Sequence, residues 1–172
     1  MTAKGNSVTM KGKPLALSGS EIKIGDSVPD CELVDKDLQP VKFSSFLGRL
    51  CVISSVPSLD TSVCDIMTRR FNKEAVALGD NVVVLAISMD LPFAQKRWCG
   101  AADVKNVITL SDHRDASFGK NFGVLIKDLR LLARAVFVMD SKGIIRYKQI
   151  VEELTNEPDY EPVLEAVRKI KN

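Results

Sequence analysis

The chain has 172 residues, enough to bury one hydrophobic core and too few to suggest two, so a single domain over 1–172 is expected. Its 24 Lys and Arg against 22 Asp and Glu leave a scattered net charge of +2, which argues against a nucleic-acid or anionic-membrane binder. Four cysteines, at 31, 51, 64 and 99, show no C-x-x-C spacing and argue against a secreted disulfide framework, so some thiol is expected to be chemical.

The segment Met1-Thr2-Ala3-Lys4-Gly5-Asn6 is polar, and too few apolar residues follow it for a signal-peptide core or a membrane span; a cytoplasmic protein with no membrane attachment is expected. Val8-Thr9-Met10 and Leu15-Ala16-Leu17, separated by Lys11-Gly12-Lys13-Pro14, predict an N-terminal β-hairpin, and a second extended piece is expected around 31–34. The pattern then alternates: strand 50–56, helix 63–78, strand 82–89, a short helix 92–98 and strand 107–110, which implies parallel strands with crossover helices. A short helical stretch over 115–121 follows. Strands over 135–139 and 144–147 flank Asp140-Ser141-Lys142-Gly143, a hairpin signal, and a last helix starts at Tyr160. The core reads as βαβ followed by ββα, an α/β fold with a central mixed sheet flanked by helices.

One cysteine stands apart. The apolar strand ends at Pro57, and Asp60, Thr61 and Ser62 are each good N-cap residues, so the helix boundary lies within a residue of 62. Ser62-Val63-Cys64-Asp65 also fits the Ser-x-x-acid form of a capping box. Every choice leaves Cys64 in the first turn, where unpaired N–H groups and the positive end of the helix dipole favour thiolate over thiol. The plainer alternative is a small apolar residue packing the helix start.

Pro57-x-x-x-Thr61-x-x-Cys64 resembles the active-site motif of the peroxiredoxins. The longer run from Val56 to Asp65, followed by Thr68-Arg69-Arg70-Phe71-Asn72, is similar to their thiol peroxidase branch. Arg97-Trp98-Cys99-Gly100-Ala101, Leu110-Ser111-Asp112, Leu132-Ala133-Arg134-Ala135-Val136 and Glu157-Pro158-Asp159-Tyr160 match the same branch in order, so the resemblance covers nearly the whole chain. It implies a thioredoxin-like fold and an atypical two-cysteine peroxiredoxin. Such an enzyme reduces hydrogen peroxide and organic hydroperoxides with electrons from thioredoxin, and needs neither cofactor nor metal. It further implies that Cys64 is the peroxidatic nucleophile, that Thr61 hydrogen-bonds thiolate and peroxide, that Pro57 shields the sulfur from water and that Arg134 is the catalytic arginine. Cys99 becomes the resolving thiol of an intramolecular Cys64–Cys99 disulfide, and the chain is expected to form a homodimer beside the active-site helix.

Each assignment has a plainer counterpart: Thr61 as a mere cap, Arg134 as a strand-head side chain snorkelling to solvent, Cys99 as a helix-end cysteine beside Trp98. Cys51 and Cys31 read as structural, with Cys31 at most partly reactive, and His113 as an exposed loop residue. One histidine and scattered cysteines do not make a zinc set. Two features depart from the branch: Ser62 stands where proline is common, and 126–131 looks short, which bears on the substrate mouth. The two thiols lie on separate helices, so their reduced separation is expected to exceed the roughly 7 Å between Cα atoms that a disulfide allows, and bonding to require local unwinding. The alternative function is a peroxide sensor or relay that passes its disulfide to a client protein. A thioredoxin-like oxidoreductase is disfavoured by the missing C-x-x-C pair.

Overall fold

The structure, a computed structural model, describes residues 6–172; the polar segment 1–5 lies outside them. In chain order its elements are β1 (Ser7–Met10), β2 (Lys13–Ser18), β3 (Glu32–Val34), β4 (Pro40–Lys42), a 3-10 turn (Phe43–Phe46), β5 (Leu50–Ser55), α1 (Ser62–Leu78), β6 (Val82–Ser88), α2 (Pro92–Ala102), β7 (Val107–Ser111), α3 (Ser117–Asn121), β8 (Leu125–Ile126), β9 (Leu131–Leu132), β10 (Ala135–Met139), β11 (Ile145–Ile150) and α4 (Tyr160–Lys171). A seven-stranded sheet has the order β11-β10-β5-β6-β7-β3-β4. Within it β5, β6 and β7 are parallel, while β10 and β11 run antiparallel to their neighbours. This is the thioredoxin-like arrangement, with the expected N-terminal hairpin of β1 and β2.

The central strands are apolar on both faces because both faces are covered. Successive residues point to opposite sides. Cys51 and Ile53 of β5, Leu85 and Ile87 of β6, and Phe137 and Met139 of β10 enter one core, where Phe43, Phe118 and Phe122 pack together. Val52, Val84, Val136 and Val138 enter the other, beneath α1, α2 and α4. Met67, Phe71, Ala75 and Leu78 form the buried stripe of α1, at the spacing that predicts the helix, and Phe71 meets Tyr160 of α4 with ring centroids 5.4 Å apart.

Several expectations are corrected. Thr61 is the N-cap of α1, in extended backbone, but its side chain makes no cap bond. No capping box forms, because the Asp65 carboxylate turns sideways to Trp98 and Arg69. Helix α2 does not stop at 98; it continues through Gly100 to Ala102 and ends where Asp103 turns left-handed. One glycine costs a helix only about 1 kcal/mol relative to alanine, and the two residues after it, Ala101 and Ala102, carry no such cost. The short stretch over 126–131 is a hairpin of two-residue strands, β8 and β9, whose pairing with β2 makes a separate four-stranded sheet, β1-β2-β8-β9. Strand β11 runs on to Ile150, with buried Gln149 satisfied by Asp159.

Candidate active site

Parallel strands place chemistry beyond their carboxyl ends. Here β5 ends at Ser55 and β6 at Ser88, and residues 56–61 cross that edge into α1. Asp90 shapes the crossing: its carboxylate accepts from the Ser58 hydroxyl at 2.7 Å, the Leu59 N–H at 2.9 Å and the Ser88 hydroxyl at 2.7 Å. Sequence reading missed Asp90, although a polar residue just past the end of an interior parallel strand was a usable signal.

Cys64 is fully buried on the inner face of the first turn of α1. Arg134 approaches from the turn before β10, 2 % exposed, so it does not snorkel to solvent. Its Nη1 donates to Cys64 Sγ at 3.4 Å and lies 3.6 Å from Met67 Sδ. Its other edge is fixed, since Nε and Nη2 both donate to the Leu154 carbonyl, at 3.2 and 2.8 Å. Among the described residues no carboxylate partners this guanidinium; its partners are a carbonyl, a thioether and the Cys64 sulfur. The one guanidinium nitrogen not held by the Leu154 carbonyl is thus directed at the Cys64 sulfur.

Beside this pair lies a cavity of about 170 Å³, walled by Pro57, Thr61, Val63, Leu131 and Leu154, with Met10 and Thr155 among the residues at its margin. The Thr61 hydroxyl donates to the Ser58 carbonyl at 3.0 Å, so in this state it does not bond Cys64. Pro57, Thr61, Cys64 and Arg134 are thus gathered at one place. Cys99 is not among them. Its Sγ lies 3.5 Å from Thr109 Oγ1, in a separate cleft between α2 and β7 that also takes in Asp35, Asp37 and Lys105. Both thiols are free.

Burial pushes the thiols of Cys31 and Cys51 up to about 12, which favours the protonated form of both. His113 is not an exposed loop residue but half-buried, its Nδ1 2.8 Å from Ser111 Oγ. Among the described residues no helix is long and apolar enough to cross a membrane.

A helix start presenting a buried sulfur to a fixed guanidinium, beside a small cavity, suits attack on a small electrophile whose leaving oxygen needs a hydrogen-bond donor. Comparison with known proteins agrees. The Redoxin family model matches residues 23–164. A thiol peroxidase of Listeria innocua is 53% identical over 162 residues, spanning 94% of this chain and 98% of its own. That of Bacillus subtilis is 52% identical over 163 residues, spanning 95% and 97%. The crystal structure of a peroxiredoxin-like protein from Aquifex aeolicus superposes with a TM-score of 0.90 at 42% identity, covering 96% of this chain and 98% of that one. With the family model spanning most of its length and relatives this similar end to end, the chain belongs to the redoxin family, among the peroxiredoxin-type thiol peroxidases that reduce peroxides.

Proposed function

We propose that the chain reduces hydrogen peroxide and organic hydroperoxides through a Cys64 sulfenic acid, closes an intramolecular Cys64–Cys99 disulfide, and is recycled by thioredoxin. The observation that carries this reading is the 3.4 Å contact between the buried Arg134 guanidinium and Cys64 Sγ. In the first step the Cys64 thiolate attacks the outer peroxide oxygen and forms an S–O bond while the O–O bond breaks. The leaving oxygen departs as water or alcohol after taking a proton. Arg134 stabilises charge on sulfur and on the breaking O–O bond, Thr61 reorients its hydroxyl from Ser58 to the incoming peroxide, and Pro57 keeps bulk water from the sulfur.

In the second step the Cys99 thiolate displaces hydroxide from the sulfenic sulfur, water is released, and the S–S bond forms before a second peroxide can carry Cys64 on to sulfinic acid. A reductant dithiol then reopens the disulfide by exchange. The chain is read as one domain that needs no bound cofactor, working as a homodimer in the cytoplasm.

The test is NADPH consumption with thioredoxin, thioredoxin reductase and a panel of hydroperoxides. Turnover that requires all components is the expected result. Stoichiometric transfer of the disulfide to one client, without sustained turnover, would replace this reading with the sensor or relay.

A further inference from the structure

Glu153 lies beyond β11 and has no part in the scheme above, yet its carboxylate is the most heavily bonded one on the same side of the molecule. Oε2 accepts from the Thr9 hydroxyl at 2.8 Å and the Gly12 N–H at 3.1 Å. Oε1 accepts from the Lys11 N–H at 2.9 Å, the Thr155 hydroxyl at 2.8 Å and the Thr155 N–H at 3.3 Å. A carboxylate offers about four lone-pair sites, so these contacts leave none over. Backbone bonds run alongside: the Thr9 N–H donates to the Glu152 carbonyl at 2.7 Å and the Leu154 N–H to the Thr9 carbonyl at 2.8 Å. The turn of the β1–β2 hairpin is thereby stitched to residues 152–155.

That seam touches the candidate site in two ways. Met10 and Thr155, one from each side of it, both line the cavity beside Arg134. Leu154, the next residue along, supplies the carbonyl that holds two of the three guanidinium nitrogens of Arg134. The direction in which Nη1 points at Cys64 is therefore set by where the 152–155 backbone lies.

We propose that Glu153 is a positioning residue for the peroxide step: by clamping the hairpin turn onto residues 152–155 it fixes the cavity margin and, through the Leu154 carbonyl, the aim of Arg134. The proposal rests on the roles given above to Cys64 and Arg134. The same hydrogen bonds, with the Gly12 N–H foremost, hold the Glu153 carboxyl down at about 2, so the clamp is ionised throughout the working range of the enzyme. Misplacing a catalytic group by a fraction of an ångström to an ångström costs on the order of tenfold to a hundredfold in rate.

Glu153→Gln keeps the shape but turns an NH₂ toward donors. In the full chain, single-turnover oxidation is followed with hydrogen peroxide and with bulky cumene hydroperoxide, alongside melting temperature and a Cys64→Ser blank. The expected result is a loss on the order of tenfold with hydrogen peroxide, and an altered ratio between the two peroxides as the margin shifts. In an Arg134→Met background Glu153→Gln should cost little more with hydrogen peroxide, because the group it aims is gone. Thr9→Val combined with Thr155→Val, which keeps the carboxylate and removes two donors, should move the same readouts and serves if Glu153→Gln does not fold. Wild-type rates with both peroxides, or an undiminished effect in the Arg134→Met background, would overturn the assignment of Glu153 alone. A wild type no faster than Cys64→Ser would overturn the Cys64 reading and this one with it.

Discussion

Replacing Arg134 separates what the guanidinium does for the fold from what it does for the reaction. Arg134→Met fills similar space with an apolar chain and removes the only described donor to Cys64 Sγ from outside α1. For the fold, the loss is the Leu154 carbonyl, which gives up two N–H bonds in a buried place. An unsatisfied buried acceptor costs about 1–3 kcal/mol, within the 5–15 kcal/mol that ordinarily separates native from unfolded states, so the variant remains mostly folded. For the reaction, loss of one preorganised donor aimed at developing charge costs about 2.7–4 kcal/mol of barrier, or roughly a hundredfold to a thousandfold in rate. The rate loss is thus far larger than any unfolded fraction could produce.

The assay is single-turnover oxidation by hydrogen peroxide under stopped flow, read through Trp98, the chain's one tryptophan, whose indole N–H donates to Asp65 beside Cys64 at 2.9 Å. Arg134→Lys provides the comparison: an ammonium keeps the charge but lacks the fork that bonds Leu154 and the sulfur together, so an intermediate loss is expected. An Arg134→Met rate within about threefold of wild type, in a protein with normal melting, would refute the reasoning, because under 1 kcal/mol of barrier would then be attributable to the contact.

Cys64→Ser should abolish peroxide reduction, whereas Cys99→Ser should still consume about one equivalent of peroxide and lose thioredoxin-supported turnover; quantitative peroxide titration distinguishes the two. Thr61→Val should slow the peroxide step by on the order of a hundredfold while Thr61→Ser stays close to wild type, measured by the same stopped-flow assay. Asp65→Asn, which weakens the bonds to Arg69 and Trp98, should speed disulfide closure by more than it slows the first oxidation, and hydrogen exchange on oxidation should show lost protection in the first turn of α1 and in α2 while β5, β6 and β10 stay protected. Burial raises the Asp112 carboxyl to about 6, so the folded state holds its proton longer than the unfolded chain and stability falls as pH rises from about 4 to about 6, by at most about 3 kcal/mol. Urea unfolding of Asp112→Asn across that range should show the slope flattened.

The strands and helices that build the site were legible because their periodicities are long. Strand β5 is apolar at every position but its last two, and α1 carries a clean stripe from Met67 to Leu78. The β8–β9 hairpin was invisible: two residues per strand give no periodicity, and its turn relies on Arg130 adopting a φ of 49°, for which arginine gives no cue. Pro57, Thr61, Cys64 and Arg134 were legible as a set through the family motif, and the structure gathers them. The groups that orient them were not. The Leu154 carbonyl is a backbone atom with no side-chain signature, and Glu153 and Asp90 act across 141 and 31 residues of chain, distances over which a single sequence shows no pairing. Asp65 misled, because its spacing from Ser62 suits a capping box while its actual partners are Arg69, one turn on in α1, and Trp98 of another helix.

Those partners bear directly on how Cys99 could reach Cys64. The Asp65 carboxylate takes the Trp98 indole N–H and the Arg69 Nε, Arg69 Nη1 donates to the Ala102 carbonyl at 3.1 Å, and the guanidinium sits 5.9 Å from the centre of the Trp98 ring. Helix α2 is therefore tied to the start of α1 on both sides of Cys99, at residues 98 and 102. If the proposed Cys64–Cys99 disulfide forms, displacement of α2 toward the sulfur should break these bonds and loosen the turn that holds Cys64. The two segments should open as one cooperative unit. Arg69 is half exposed, which keeps the ion pair weak and the opening accessible during turnover. On the proposed cycle the same ties would hold the reduced sulfur against Arg134, so attack on peroxide is expected in the closed form and resolution in the open one. On that proposal the rate of opening should set how often a second peroxide reaches the sulfenic acid before Cys99 does, and a tighter latch is expected to make the protein easier to inactivate by excess peroxide.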